Sequence, residues 1–80
     1  MKVIFFGKLR DALGDESDLV AEQGETVAQL RRRLADLHPA ASRDLLNPGV
    51  RACVDDVIVT EDFIVGDRES VEFLPPLSGG

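Results

Sequence analysis

The chain has 80 residues, enough for one domain with one hydrophobic core and too few for two. Hydrophobic residues make up 44% of it and charged residues 30%, and no run approaches the roughly 18 apolar residues of a membrane span, so a cytoplasmic protein without signal peptide or membrane partner is expected. Nine basic against fifteen acidic side chains leave a net charge of −6, which speaks against a nucleic-acid partner, because phosphate backbones demand clustered Lys and Arg.

The opening Lys2-Val3-Ile4-Phe5-Phe6-Gly7 is β-branched and aromatic and reads as a strand, apolar on both faces and so either central or turned by one face to a partner. Lys8 to Leu13 predicts one or two helical turns, closed by Gly14. Ser17 to Glu22 predicts a second strand with Leu19 and Ala21 facing inward. Thr26 and Gln29 form a capping box, after which Val27, Leu30, Leu34 and Leu37 trace one stripe of an amphipathic helix that Pro39 ends near Leu37 or His38. Arg31, Arg32 and Arg33 spread over about 300° of that helix and read as a solvated face. Residues 39–49 are a connection holding a helical turn through Arg43 to Leu46, stopped by Asn47-Pro48-Gly49. Arg51 to Val54 and Val57 to Val59 are strands joined through a turn at Asp55-Asp56. Gly66-Asp67 mark another turn, and Ser70 to Leu74 is the last strand.

One long helix among short strands is an α+β pattern. The first and last strands are the most apolar and are expected side by side in the sheet. The expected architecture is a β-grasp, a mixed sheet of about four to five strands on one main helix spanning residues 1–74, with 75–80 as a flexible C-terminal tail. One helix covers one sheet face, so alternation leaves Phe6 and Leu74 on the open side as binding surface. The lone Cys53 cannot form an internal disulfide and is expected in the core, as free cysteines usually are. His38, before Pro39, suits the negative end of a helix dipole. One Cys and one His cannot supply four zinc ligands, and no Cys-His-Asp constellation or Gly-rich phosphate loop is present. No bound metal or cofactor is expected, and any chemistry is expected to draw on residues of another protein.

Gly79-Gly80 close the sequence. A diglycine enters channels too narrow for other dipeptides and takes φ values closed to them. Its carboxylate, once activated by ATP to an acyl-adenylate, is an electrophile for a thiol, sulfide or amine. Pro75-Pro76 stiffen the exit, and residues 75–80 could reach roughly 20 Å. An idle tail explains a glycine pair equally well, and taken alone the pair does not decide between the two.

Phe5-Phe6-Gly7-Lys8-Leu9-Arg10, Thr26-Val27 with Leu30, Ala52-Cys53-Val54-Asp55, and Val71-Glu72-Phe73-Leu74-Pro75-Pro76-Leu77-Ser78-Gly79-Gly80 together resemble the MoaD-type small subunits of molybdopterin synthase. These are sulfur carriers of molybdenum cofactor biosynthesis. The resemblance covers nearly the whole chain, is weakest across 39–49, and is most specific at Phe73-x-Pro75-Pro76-x-x-Gly79-Gly80. It implies that an E1-like adenylyltransferase uses ATP to adenylate the Gly80 carboxylate and that a sulfur donor protein supplies the sulfur of a thiocarboxylate. The tail, with Gly79 and Gly80 threaded into the large subunit, would then give that sulfur to cyclic pyranopterin monophosphate, two turnovers building the dithiolene. It further implies a heterotetramer with the large subunit, which holds the catalytic lysines, and partner contacts through Phe6, Arg10, Phe73, Leu74, Pro75, Pro76 and Leu77. Two positions depart from the family pattern: Asp55 stands where Asn is common, and Arg68, Glu69 and Ser70 separate Gly66-Asp67 from the body of the last strand. A carrier for thiamine or amino-acid biosynthesis, a ubiquitin-like protein modifier, and an interaction domain with an idle tail remain alternatives. The double proline favours the molybdopterin reading over the other carriers.

Overall fold

The computed structural model describes residues 1–76; Leu77, Ser78, Gly79 and Gly80 lie outside the described residues. Strand β1 (Lys2–Phe5) buries Val3 and Phe5 and turns Lys2 and Ile4 the other way, the period-two alternation of a half-covered strand. It ends before Gly7, and α1 (Lys8–Leu13) follows with Leu9 in the core. Strand β2 (Glu16–Asp18) runs back along β1, Ser17 opposite Val3. It is shorter than expected, because β1 offers no partner beyond its first residues. Leu19 instead exchanges backbone hydrogen bonds with Met1, its N–H donating to the Met1 carbonyl at 2.9 Å and its carbonyl accepting from the terminal ammonium at 2.8 Å. Leu19 packs against the core, but Ala21, expected to face inward, is exposed.

Helix α2 (Val27–Leu37) starts at the predicted cap: Thr26 Oγ1 accepts from the Gln29 N–H at 3.2 Å, and Gln29 Oε1 accepts from the Thr26 N–H at 2.9 Å. The buried stripe is Val27, Leu30, Arg31, Leu34 and Ala35, spaced i, i+3, i+4, i+7, i+8. Leu37, expected on it, is 55% exposed. Ten residues at about 100° each carry it roughly 80° away from Val27, to the rim of the buried face.

Arg31 takes the inner place and is not part of a solvated triad. Its guanidinium donates to the carbonyls of Leu45 (2.6 Å), Asn47 (3.3 Å) and Val50 (2.6 Å) and to both carboxylate oxygens of Glu61 (3.0 and 2.9 Å), and lies 5.5 Å from the Phe73 ring centre. Arg32 is exposed beside Asp36, as a solvated face requires. Arg33 clasps the buried carboxylate of Glu25, at 2.7 and 3.0 Å, fixing the loop that enters the helix.

After a 3₁₀ turn (Pro39–Ala41), α3 (Ser42–Leu45) buries Leu45. Strands β3 (Arg51–Val54) and β4 (Val57–Val59) form a hairpin whose turn residues Asp55 and Asp56 both have positive φ, 51° and 66°, as a two-residue turn with the right-handed twist of its strands demands. Strand β5 (Ser70–Leu74) completes a sheet of order β2-β1-β5-β3-β4. β5 lies parallel to β1, Phe73 opposite Phe5, and antiparallel to β3, Leu74 opposite Arg51. The first and last strands are neighbours, as expected. Val3, Phe5, Ala52, Val54, Val59, Val71 and Phe73 from the sheet share one core cluster with Leu9, Leu30, Leu34 and Leu45 from the helices. Among the described residues the other sheet face carries no helix.

Candidate functional site: the open sheet face and the root of the tail

Directly paired residues point to the same side of a sheet, so the register assembles the open face. Ile4, Glu72, Cys53 and Ile58 form one row across four strands. Leu74 and Arg51 start the next row, on the side of the tail. Phe6 follows β1 at that end. Ile4, Phe6 and Leu74 are half-buried and outside the core cluster, and Ile58 is 55% exposed. The parity expected for Leu74 holds: Val71 and Phe73 are fully buried on one face, and Leu74 is turned from it.

Phe73 cannot be the partner contact the motif implies. Its side chain is 0% exposed, under α2 and the Arg31 guanidinium, where it anchors the strand that carries Leu74 and Pro75 outward. Cys53 is buried, as expected, but outside the main core cluster. Ala52 and Val54 occupy the core face of β3, so its thiol lies on the opposite face in the row with Glu72. Burial first, and the nearby Glu72 carboxylate next, push its pKa above the ordinary thiol value, which keeps it neutral and weakly nucleophilic. Ala52, Cys53 and Val54 form an unbroken apolar run, and the signal that could have placed Cys53 on the open face is Arg51, two residues before it on the same side. Ile4, Arg51, Ile58 and Glu72 were not foreseen as parts of this surface, and only the register brings them together.

Arg10 is exposed on α1, its Nε 2.7 Å from Asp15 Oδ1. Pro75 and Pro76 are exposed, yet they are not a free tail: Pro75 lies against Gly7 and Pro76 against Gly49. Leu77, Gly79 and Gly80, the remaining site residues expected from the sequence, fall outside the described residues. Charge is mixed at both ends of the sheet. Where the tail leaves, Lys8, Arg10 and Arg51 stand with Asp15, which pairs with Arg10; at the other end Asp18, Asp55, Asp56, Asp67 and Glu69 stand with Lys2 and with Arg68, which lies between Asp55 and Asp67. The face joins the apolar area of Ile4, Ile58, Phe6 and Leu74 to the charges of Glu72 and Arg51. It offers contact rather than reacting groups.

A model of the ThiS family matches residues 3–80. The molybdopterin synthase sulfur carrier subunit of Escherichia coli (strain K12) is 31% identical over 80 residues, covering 100% of this chain and 99% of that protein. Among solved structures, a candidate molybdopterin converting factor subunit 1 from Pyrococcus furiosus superposes with a TM-score of 0.78 at 23% identity, covering 95% of each chain. SAMP1 from Haloferax volcanii superposes with a TM-score of 0.71 at 19% identity, covering 99% of this chain and 97% of that one. At such identities the two structures speak to the fold, and with the five-stranded mixed sheet they identify it as a β-grasp.

Proposed function

From its membership of the ThiS family, we propose that this chain is the sulfur-carrier small subunit of a molybdopterin synthase. The observation that carries the proposal is the 31% identity to the Escherichia coli sulfur carrier subunit across essentially both whole chains, with no domain of either left unmatched. The tail sequence Phe73-Leu74-Pro75-Pro76-Leu77-Ser78-Gly79-Gly80 supports it.

In this reading the Gly80 carboxylate attacks the α-phosphate of ATP in the site of an adenylyltransferase, expelling pyrophosphate and leaving an acyl-adenylate. Sulfide delivered by a sulfur donor protein displaces AMP and leaves a thiocarboxylate; where the donor attacks as a persulfide, the acyl disulfide first formed is cleaved by a second thiol, which releases the thiocarboxylate and keeps the donor's sulfur in a disulfide. That sulfur is a soft anionic nucleophile, and glycines at 79 and 80 add no side chain to obstruct its delivery to a buried cyclic pyranopterin monophosphate. The body contributes the docking face: Ile4, Phe6, Leu74 and Ile58 supply apolar area, with Glu72 and Arg51 among them. The large subunit contributes the catalytic groups and is the partner into which the tail threads.

Intact mass after incubation with the adenylyltransferase, ATP and a sulfur source tests the proposal. Exchange of one C-terminal oxygen for sulfur, followed by dithiolene formation when the large subunit and cyclic pyranopterin monophosphate are added, is the expected result. A thiocarboxylate that feeds only thiazole or amino-acid synthesis would assign the chain to another carrier pathway. Isopeptide conjugates on lysines would make it a modifier.

A further inference from the structure

Gly7 and Gly49 stand on either side of the root of the tail. In the parallel ladder Phe5 faces Phe73, and the same register carried on two residues sets Gly7 opposite Pro75. In the antiparallel ladder Arg51 faces Leu74, and that register carried on in the same way sets Gly49 opposite Pro76. Proline has no N–H to donate, so neither ladder can continue, and ring-to-backbone contact takes its place. That contact is closer than side chains allow. A Cβ at Gly7 would lie 2.9 Å from Pro75 Cβ and 3.2 Å from its Cγ, and a Cβ at Gly49 would lie 3.1 Å from Pro76 Cβ and 3.3 Å from its Cγ. Opposed Cβ atoms in an ordinary sheet stand about 4.5–5.5 Å apart, and a pyrrolidine ring cannot swing aside as a flexible side chain can. Gly7 has a second reason to be glycine, its φ of 61°. Gly49 has no positive φ, and the atoms nearest a Cβ there belong to the Pro76 ring and to Asn47 Oδ1, at 3.2 Å.

We infer that Gly7 and Gly49 are positioning residues for the root of the tail: two notches without a Cβ seat Pro75 and Pro76 and fix the point and angle at which the described chain leaves the sheet. The consequence for activity rests on the sulfur-carrier reading, whereas the fit of ring to notch does not. Two successive prolines, each with φ fixed near −65°, pass on the angle set at the notches. A tail root held in one place before binding loses less freedom when a partner captures it, so a shift at Pro76 weakens that capture.

The test is a double-mutant cycle with Gly49→Ala and Pro76→Gly, because glycine at 76 leaves room for the added methyl. With the adenylyltransferase, Gly49→Ala is expected to raise the KM for the carrier about tenfold while kcat stays within about twofold. In the Pro76→Gly background the same substitution should change KM by less than about twofold. In the free protein, the Leu77 and Ser78 amide resonances should shift on Gly49→Ala and stay in place when it is added to Pro76→Gly. Should Gly49→Ala fail to fold, Pro76→Gly alone, which empties the notch, is expected to raise KM in the same way. An unchanged KM overturns the inference. So does an equal penalty in both backgrounds, which would place the effect on Asn47 or its turn. Failure of the wild-type chain to be adenylated would overturn the sulfur-carrier reading instead, and the resonance cycle then decides the notch by itself.

Discussion

A guanidinium carries five N–H donors in a fixed plane, and Arg31 uses them to join three elements that are distant in sequence. Arg31→Ala leaves the buried carbonyls of Leu45 and Val50 without a donor, and each such orphan costs about 1–3 kcal/mol. Urea unfolding should show a loss of about 2–4 kcal/mol, against less than about 0.5 kcal/mol for Arg32→Ala, whose ion pair with Asp36 is exposed. Equal losses in the two variants would refute the hub. Three consecutive arginines look alike in sequence, and what distinguishes Arg31 is its place in the i, i+4, i+8 row with Val27 and Ala35, a row that leucine counting overlooks. Cys53 gives a second prediction. Its folded pKa is raised, so the fold favours the neutral thiol. That stability is whole below the ordinary thiol pKa and is lost as pH rises through the raised value. Alkylation of the native protein at about pH 8.5 should be much slower than that of a free thiol and should recover in denaturant. Native labelling at the free-thiol rate would contradict the burial.

Adjacent residues of β5 separate stability from binding. Phe73→Ala should cost about 3–5 kcal/mol in thermal unfolding, because it empties the fully buried centre of the sheet. Leu74→Ala should change stability by less than about 1 kcal/mol and weaken large-subunit binding by about 1–3 kcal/mol, measured by calorimetry. A large stability loss with unchanged binding for Leu74→Ala would reverse the assignment of faces. The bounds of β3, β4, β5 and α2 were legible because their signals are local: β-branched runs punctuated by Asp55-Asp56 and Gly66-Asp67, and a capping box at Thr26. β2 was not, since Glu16-Ser17-Asp18 has no strand pattern of its own and is held by β1 and the bonds between Met1 and Leu19. The motif around the tail merged two roles in one segment. Phe73 belongs to the core and Leu74 to the surface, and only the paired strands tell them apart.

At the scale of the molecule, the reacting end and the folded body are separable in one direction. Removing Gly80 should leave thermal unfolding within about 0.5 kcal/mol of the intact chain and abolish thiocarboxylate formation, as read by intact mass. A lost unfolding transition would make the terminus structural. In the opposite direction the dependence is strict, and it follows from the place of β5 in the sheet order. The central strand is the latest in sequence, flanked by β1 from the start of the chain and by β3 from its second half. Joining residues 2–5 to residues 70–73 closes a loop of nearly the whole polypeptide, the kind of non-local pairing that makes folding slow. Until it closes, β1 and β3 have no common neighbour, Phe73 has no core to enter, and Gly7 and Gly49 are not side by side to receive the two prolines. A misassembled chain therefore carries Pro75 and Pro76 without the seats that receive them. The root of the tail takes its place only once strands from the two ends of the sequence have met, so its position reports on the closure of the whole sheet.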